Sequence, residues 1–186
     1  ITEYGFNQSA TRNIALSRSD SQRISKIFFT VLACKMIICA GCFVALLALV
    51  WAVPMFNAHL SLYLLAFAFV MGQTLLINWF FQGIEKMHYI AVAGLLGRII
   101  FVLLVFIFIK TPGDSSLYLF FMGVGNIIAG LATIYLALRL FKLKFARPSW
   151  VEIVHEFRSG WRITASNFFI TNSQYVGIFI LRLFSN

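Results

Sequence analysis

The chain has 186 residues, of which 61% are hydrophobic and 11% charged. A soluble domain has about a quarter of its residues charged, so this composition, with a mean hydropathy of +0.89, excludes an ordinary soluble enzyme and predicts a membrane protein. The net charge of +9 would suit nucleic acid, but the cations sort by loop, and that argues against it.

Residues 1–26 read as the end of a preceding helix followed by a basic loop carrying Arg12, Arg18, Arg23 and Lys26. The chain begins with Ile1 rather than Met and stops soon after its last apolar segment, so it is read as an internal fragment of a longer protein. Within residues 27–138, apolar stretches at 27–53, 61–81, 89–109 and 117–138 are each long enough to cross a hydrocarbon layer, which takes about 20 residues. In lipid the backbone must satisfy its own hydrogen bonds, so these stretches are helices. They lack the alternation of a transmembrane β-barrel. The fold class is all-α and integral to the membrane, a polytopic helical bundle.

The first span holds Lys35, with Cys34, Cys39 and Cys42 around it. The cysteine spacing suits neither a zinc site nor a disulfide framework, so these are read as buried, inert thiols, and no metal is expected. Pro54-Met55-Phe56-Asn57 ends the span as turn chemistry does. In the second span Thr74, Asn78 and Gln82 are four apart, so they share a face; Gln73 lies beside them. A short loop with Glu85 and Lys86 follows. The third span carries Arg98 beside Gly94 and Gly97, and Thr111-Pro112-Gly113-Asp114 ends it. The fourth carries Gly123, Asn126, Gly130 and Thr133 on one face. These small and amide residues serve close helix packing and interhelical hydrogen bonds, or they line a polar cavity; both readings are open.

The linker 139–160 is basic up to Arg147. Ser149 and Glu152 then fit a capping box, and Trp150, Ile153, Val154, Phe157 and Trp161 make one apolar helical face. An amphipathic helix flanked by Lys144, Arg147 and Arg158 is expected to lie in the headgroup layer as an anchor, or to act as a lever between two bundles. Residues 161–186 form a fifth, more polar span, expected to line a wet cavity or pack in a bundle.

Lys and Arg concentrate in 1–26, 83–88 and 139–163, and the intervening loops carry only Lys110, beside Asp114. The positive-inside rule puts the basic segments in the cytoplasm, where they also attract anionic membrane lipid. Against this pattern Lys35 and Arg98 stand out. A cation at the centre of a spanning helix costs roughly 2.5–3.5 kcal/mol on insertion scales. No carboxylate lies mid-span to pair with Arg98, so its partner is a backbone or amide group, a helix outside this segment, or an anionic ligand. Enzyme signatures are missing: there is no paired carboxylate at depth, no catalytic constellation and no phosphate-binding loop. No cofactor is expected.

Two stretches carry a family resemblance. One is Glu3-Tyr4-Gly5-Phe6-Asn7-Gln8-Ser9-Ala10-Thr11-Arg12, followed by Ile14-Ala15, Arg18 and Asp20. The other is Trp79-Phe80-Phe81-Gln82-Gly83-Ile84-Glu85-Lys86-Met87. They resemble the Wzx-type polysaccharide flippases of the multidrug/oligosaccharidyl-lipid/polysaccharide exporter superfamily, and Lys35 and the spacing between the stretches fit as well. The resemblance implies part of the first lobe of a two-lobe transporter in the bacterial inner membrane, with 161–186 starting the second lobe. Its implied cargo is an undecaprenyl-pyrophosphate-linked oligosaccharide for O-antigen biosynthesis, and polysaccharide polymerase and chain-length proteins are its implied partners. On this reading Arg98, Lys35 and Arg12 attract the pyrophosphate and sugar acids. Gln73, Asn78, Gln82 and Asn126 hydrogen-bond sugar hydroxyls, and Glu85 and Lys86 form a gate or a structural turn. Two other readings fit the same spans: a drug or metabolite exporter of the superfamily, and a membrane scaffold subunit that transports nothing.

Overall fold

The computed structural model of the chain describes residues 5–18, 20–52, 60–110, 115–161 and 165–166. Among them every regular element is a helix: α1 (Phe6–Leu16), α2 (Ser21–Ala52), α3 (Leu60–Leu75), α4 (Asn78–Gly83), α5 (His88–Phe108), α6 (Ser115–Leu140) and α7 (150–161). The molecule is an all-α polytopic membrane protein. Four spans are long and apolar enough to cross a bilayer: α2, α3 with α4, α5, and residues Leu117–Leu140 of α6. Most of the fifth candidate span, 161–186, lies outside the described residues, as do most of the loops 54–60 and 110–116.

Gly5 begins α1 in a left-handed conformation at φ 63°, which glycine adopts without steric cost. Phe6, Ala10 and Ile14 then recur every four residues and are the buried face. Asp20 caps α2: its carboxylate accepts from the backbone N–H groups of Gln22 and Arg23, each at 3.0 Å, as an N-cap side chain should. The helix therefore begins at Ser21, earlier than the apolar run at 27. At 32 residues it is about 48 Å long and outreaches the ~30 Å hydrocarbon layer. Ile24, Phe28, Val31, Lys35 and Cys39 are buried along it, so Lys35 sits within the buried stripe.

The second span departs from the sequence reading. A single helix over 61–81 was expected; the structure breaks it at Leu76–Ile77 and restarts it as α4. Thr74, Asn78 and Gln82 consequently share no continuous helical face. Thr74 is buried and bonds Val70 O of its own helix at 2.9 Å, Asn78 is half-buried, and Gln82 is exposed.

α6 packs most extensively on α3 and next on α5, through two glycine seams. Toward α3, a Cβ on Gly123 would meet the Ala68 and Phe69 backbone at 2.6 Å, one on Gly130 would meet Leu75, and one on Gly72 would meet Asn126. Toward α5, Gly97 and Gly125 face each other's carbonyls. Lipid gives apolar helices no hydrophobic reason to associate, so close backbone approach supplies the dispersion contacts instead. At the basic end an aromatic cluster joins α1, α2, α4 and the end of α6: Phe28 packs on Trp79 and Phe80, and Phe80 on Phe141. α7 seats against this end, with Ile153 buried and Phe157 edge-on to Phe6 at 5.7 Å.

Gly123→Ala should destabilise the full-length protein by about 1–3 kcal/mol, since backbone must move to admit the methyl. Gly41→Ala, with nothing within 4 Å, should be neutral or gain up to about 1 kcal/mol of helix propensity. Denaturant unfolding of both variants in detergent checks the contrast.

Candidate functional site

The break at Leu76–Ile77 contains neither proline nor glycine. A helix that stops leaves its last carbonyls without intrahelical partners, and within a membrane an unpaired carbonyl costs several kcal/mol. The partner comes from α2: Lys35 Nζ donates to Leu76 O at 2.9 Å. Lys35 is fully buried. A cation at a helix C-terminus also complements the helix dipole. The resemblance implied that Lys35 attracts cargo anions; the structure buries its side chain at the point where the span is broken.

Arg98 has the opposite fate. It is exposed on α5, next to Gly97, whose backbone is pressed against α6. Among the described residues it has no ion-pair or hydrogen-bond partner. The structure therefore does not bring the two mid-span cations together: one is enclosed between α2 and the α3–α4 break, and the other faces outward from α5.

The amides divide similarly. Gln73 is half-buried and lines a largely apolar cavity of ≈ 450 Å³ between α2 and α3, with Cys42 and Tyr63 among its neighbours. Asn126 is half-buried at the α3–α6 seam, and its Nδ2 donates to Met122 O at 3.0 Å. Asn78 starts α4 beyond the break.

At the basic end, the two stretches that carry the family resemblance form one unit. Thr11 Oγ1 donates to Trp79 O at 3.1 Å, and Arg18 Nε donates to Gly83 O at 3.0 Å. Arg18 also pairs with Glu85 at 2.7 Å. Gly83 sits so close to Ile14 and Thr11 O that a Cβ there would clash. The turn itself is tight: Lys86 N bonds Phe81 O and Glu85 N bonds Gln82 O, a Schellman pattern that calls for a left-handed residue. Glu85 fills that role at φ 61°, where glycine is usual, and its hydrogen bond with Arg18 holds its carboxyl below the ordinary range. Lys86 Nζ lies 5.3 Å from the Phe141 ring centroid. Arg12 is exposed on α1. The predicted gate residues are thus the ends of a turn clasped by α1.

The model for polysaccharide biosynthesis proteins matches residues 1–186. The chain belongs to that family. A protein of Escherichia coli (strain K12) named "Putative O-antigen transporter" is 29% identical over 131 residues, covering 70% of this chain and 32% of its own. A Shigella dysenteriae protein of the same name is 34% identical over 139 residues, covering 73% of this chain and 34% of its own. The chain spans about a third of the length of these curated relatives. No solved structure matches it.

Membership of the family agrees with the resemblance read from the two stretches, and the structure adds roles that the sequence did not assign. Arg18 bridges the stretches. Glu156 on α7 is 7% exposed, and its Oε1 accepts from Asn13 Nδ2 at 3.4 Å. Burial pushes its carboxyl up from the usual range. One signal for Glu156 was present: it stands three residues after Ile153 and next to Phe157, inside the apolar face. Among the described residues no group of His, Cys, Asp and Glu side chains could hold a metal.

Lys35→Met should leave Leu76 O unpaired and cost about 1–3 kcal/mol. The full-length protein should melt earlier, with faster amide exchange across residues 76–83. Unchanged melting would show that the break does not need Lys35.

Proposed function

We propose that the parent protein is a flippase in the bacterial inner membrane that moves an undecaprenyl-pyrophosphate-linked oligosaccharide toward the cell surface for O-antigen assembly, and that this chain is part of its first lobe. The observation that carries this reading is Arg98. It is a permanent cation within a span, exposed, and without a partner among the described residues. In hydrocarbon such a group marks a pathway or a partner by default, and a pyrophosphate matches the fork of a guanidinium. The family and the names of the two relatives support the polysaccharide cargo.

Arg98 binds the pyrophosphate on this reading. Gln73, at its cavity between α2 and α3, and Asn78 and Gln82, on and around α4, are the amides offered to sugar hydroxyls. Arg12 at the basic end attracts sugar acids before entry. Lys35 acts on cargo through the break that it holds, and Asn126 through the α3–α6 seam. Glu85 and Lys86 keep the cytoplasmic turn closed against α1. The chain is not an enzyme, and polymerase and chain-length proteins receive the exported cargo. Transport follows from rocking of two lobes about a central site, as in other transporters built from repeats.

The full-length gene expressed in a strain lacking its own flippase for the same cargo tests the site. Arg98→Ala at normal membrane abundance should lower surface polysaccharide at least about tenfold, the worth of one charge-assisted contact, and Arg98→Lys should retain part of it. Normal display with Arg98→Ala removes Arg98 as a cargo ligand. Loss of the protein from the membrane in both variants favours a partner helix as what Arg98 meets.

A further inference from the structure

α7 lays two carboxylates into the cleft it forms with α1 and α2, and the fold treats them differently. Glu152 pairs with Lys26, and its other oxygen accepts from the Ser149 N–H at 3.2 Å. One turn later, Glu156 makes no ion pair among the described residues. Its side chain is enclosed at 7% exposure, and among the described residues its one hydrogen bond is the long contact with Asn13, while Oε2 has no hydrogen-bond partner.

A buried carboxylate with so little compensation is costly in its charged form, by several kcal/mol before relaxation. The neutral acid avoids most of that cost. The cations about the cleft are exposed, and the charge of His155 draws the Glu156 carboxyl down against the larger effect of burial. On α2, Arg23 and Lys26 border the same ≈ 460 Å³ pocket, and Lys26 is committed to Glu152. On α7, His155 borders it and Arg158 is exposed; on α1, Arg12 is exposed. The Cys34 thiol lies against Ile153 O at 3.9 Å.

We propose that Glu156 is a proton-binding site that governs the seating of α7 on α1 and α2: the protonated acid keeps α7 in place, and the ionised carboxylate lets it lift. The sign follows from solvation. Seated, Glu156 is desolvated and holds its proton more tightly; lifted, it meets water and titrates in the ordinary range. Seating is therefore strongest at low pH and weakens as pH rises past the ordinary carboxylate range. Glu152 runs the other way, because Lys26 holds its carboxyl low, so its ion pair persists throughout that window. α7 is the segment through which the chain continues to 161–186, so its position sets where those residues start. This inference does not depend on what the protein transports.

The test uses the full-length protein, cysteine-free and in lipid nanodiscs. Spin labels go at Gln8 on α1 and Val154 on α7, both exposed. Pulsed distance measurements would run from about pH 5 to about pH 8, the range that includes histidine titration. With Glu156 intact, a short distance should give way to a longer one as pH rises, the ratio changing by at most about tenfold per pH unit for a single proton. Glu156→Gln, which is isosteric and always neutral, should keep the short distance throughout, and that distance reports its correct fold. His155→Asn should respond as the parent does. A distribution independent of pH in the parent overturns the proposal. So does a Glu156→Gln variant that still shifts, or a response lost with His155.

Discussion

One contact organises this structure: the side chain of Lys35 on the Leu76 carbonyl, where a helix is broken. Each half of it would be costly alone. A cation within a span costs roughly 2.5–3.5 kcal/mol on insertion scales, and an unpaired carbonyl in hydrocarbon costs several more. A charged hydrogen bond contributes about 1.5–3 kcal/mol, so their union at 2.9 Å turns two liabilities into a fixed point. The break then allows α4 to follow its own course, bringing Trp79, Phe80 and Phe81 into the aromatic cluster with Phe28.

From that point the two ends of the bundle are built by different means. Toward the membrane interior, α3, α5 and α6 associate through glycine, and specificity comes from how closely backbones approach at Gly72, Gly123, Gly130 and the Gly97–Gly125 pair. At the basic end, polar contacts do the fastening: Thr11 to Trp79 O, Arg18 to Gly83 O and Glu85, Asn13 to Glu156, Lys26 to Glu152. Such fastening can be weakened by water or by a proton, whereas the glycine seams cannot. A moving part is therefore better placed at the basic end, and α7 sits there.

Much of the fold was legible in the sequence, because spans of about 20 apolar residues have few alternatives in lipid. The capping box at Ser149 was legible too, and Glu152 reaches back to the Ser149 N–H as it predicts. The break at Leu76–Ile77 was not, since no proline or glycine marks it and the side chain that meets its carbonyl is 41 positions away. Nor could the sequence separate Lys35 from Arg98. Each is the one cation of its apolar stretch, 27–53 or 89–109, and those stretches are apolar on nearly every side, so no wheel shows which face is buried. The left-handed turn residue was hidden because Glu85 stands where glycine would have announced it. Membership of one family was readable in two stretches; that they clasp each other through Arg18 was visible only in three dimensions.

On the proposed function the two mid-span cations do different work: Lys35 holds the fold, and Arg98 meets the cargo. The most direct test reconstitutes the full-length protein in liposomes with a fluorescent undecaprenyl-pyrophosphate-linked oligosaccharide and follows its transfer between leaflets by quenching, beside the melting temperature of each variant. Arg98→Ala should abolish transfer while melting like the parent, and Lys35→Met should melt earlier. Transfer at the parent's rate by a stably folded Arg98→Ala protein would contradict the account.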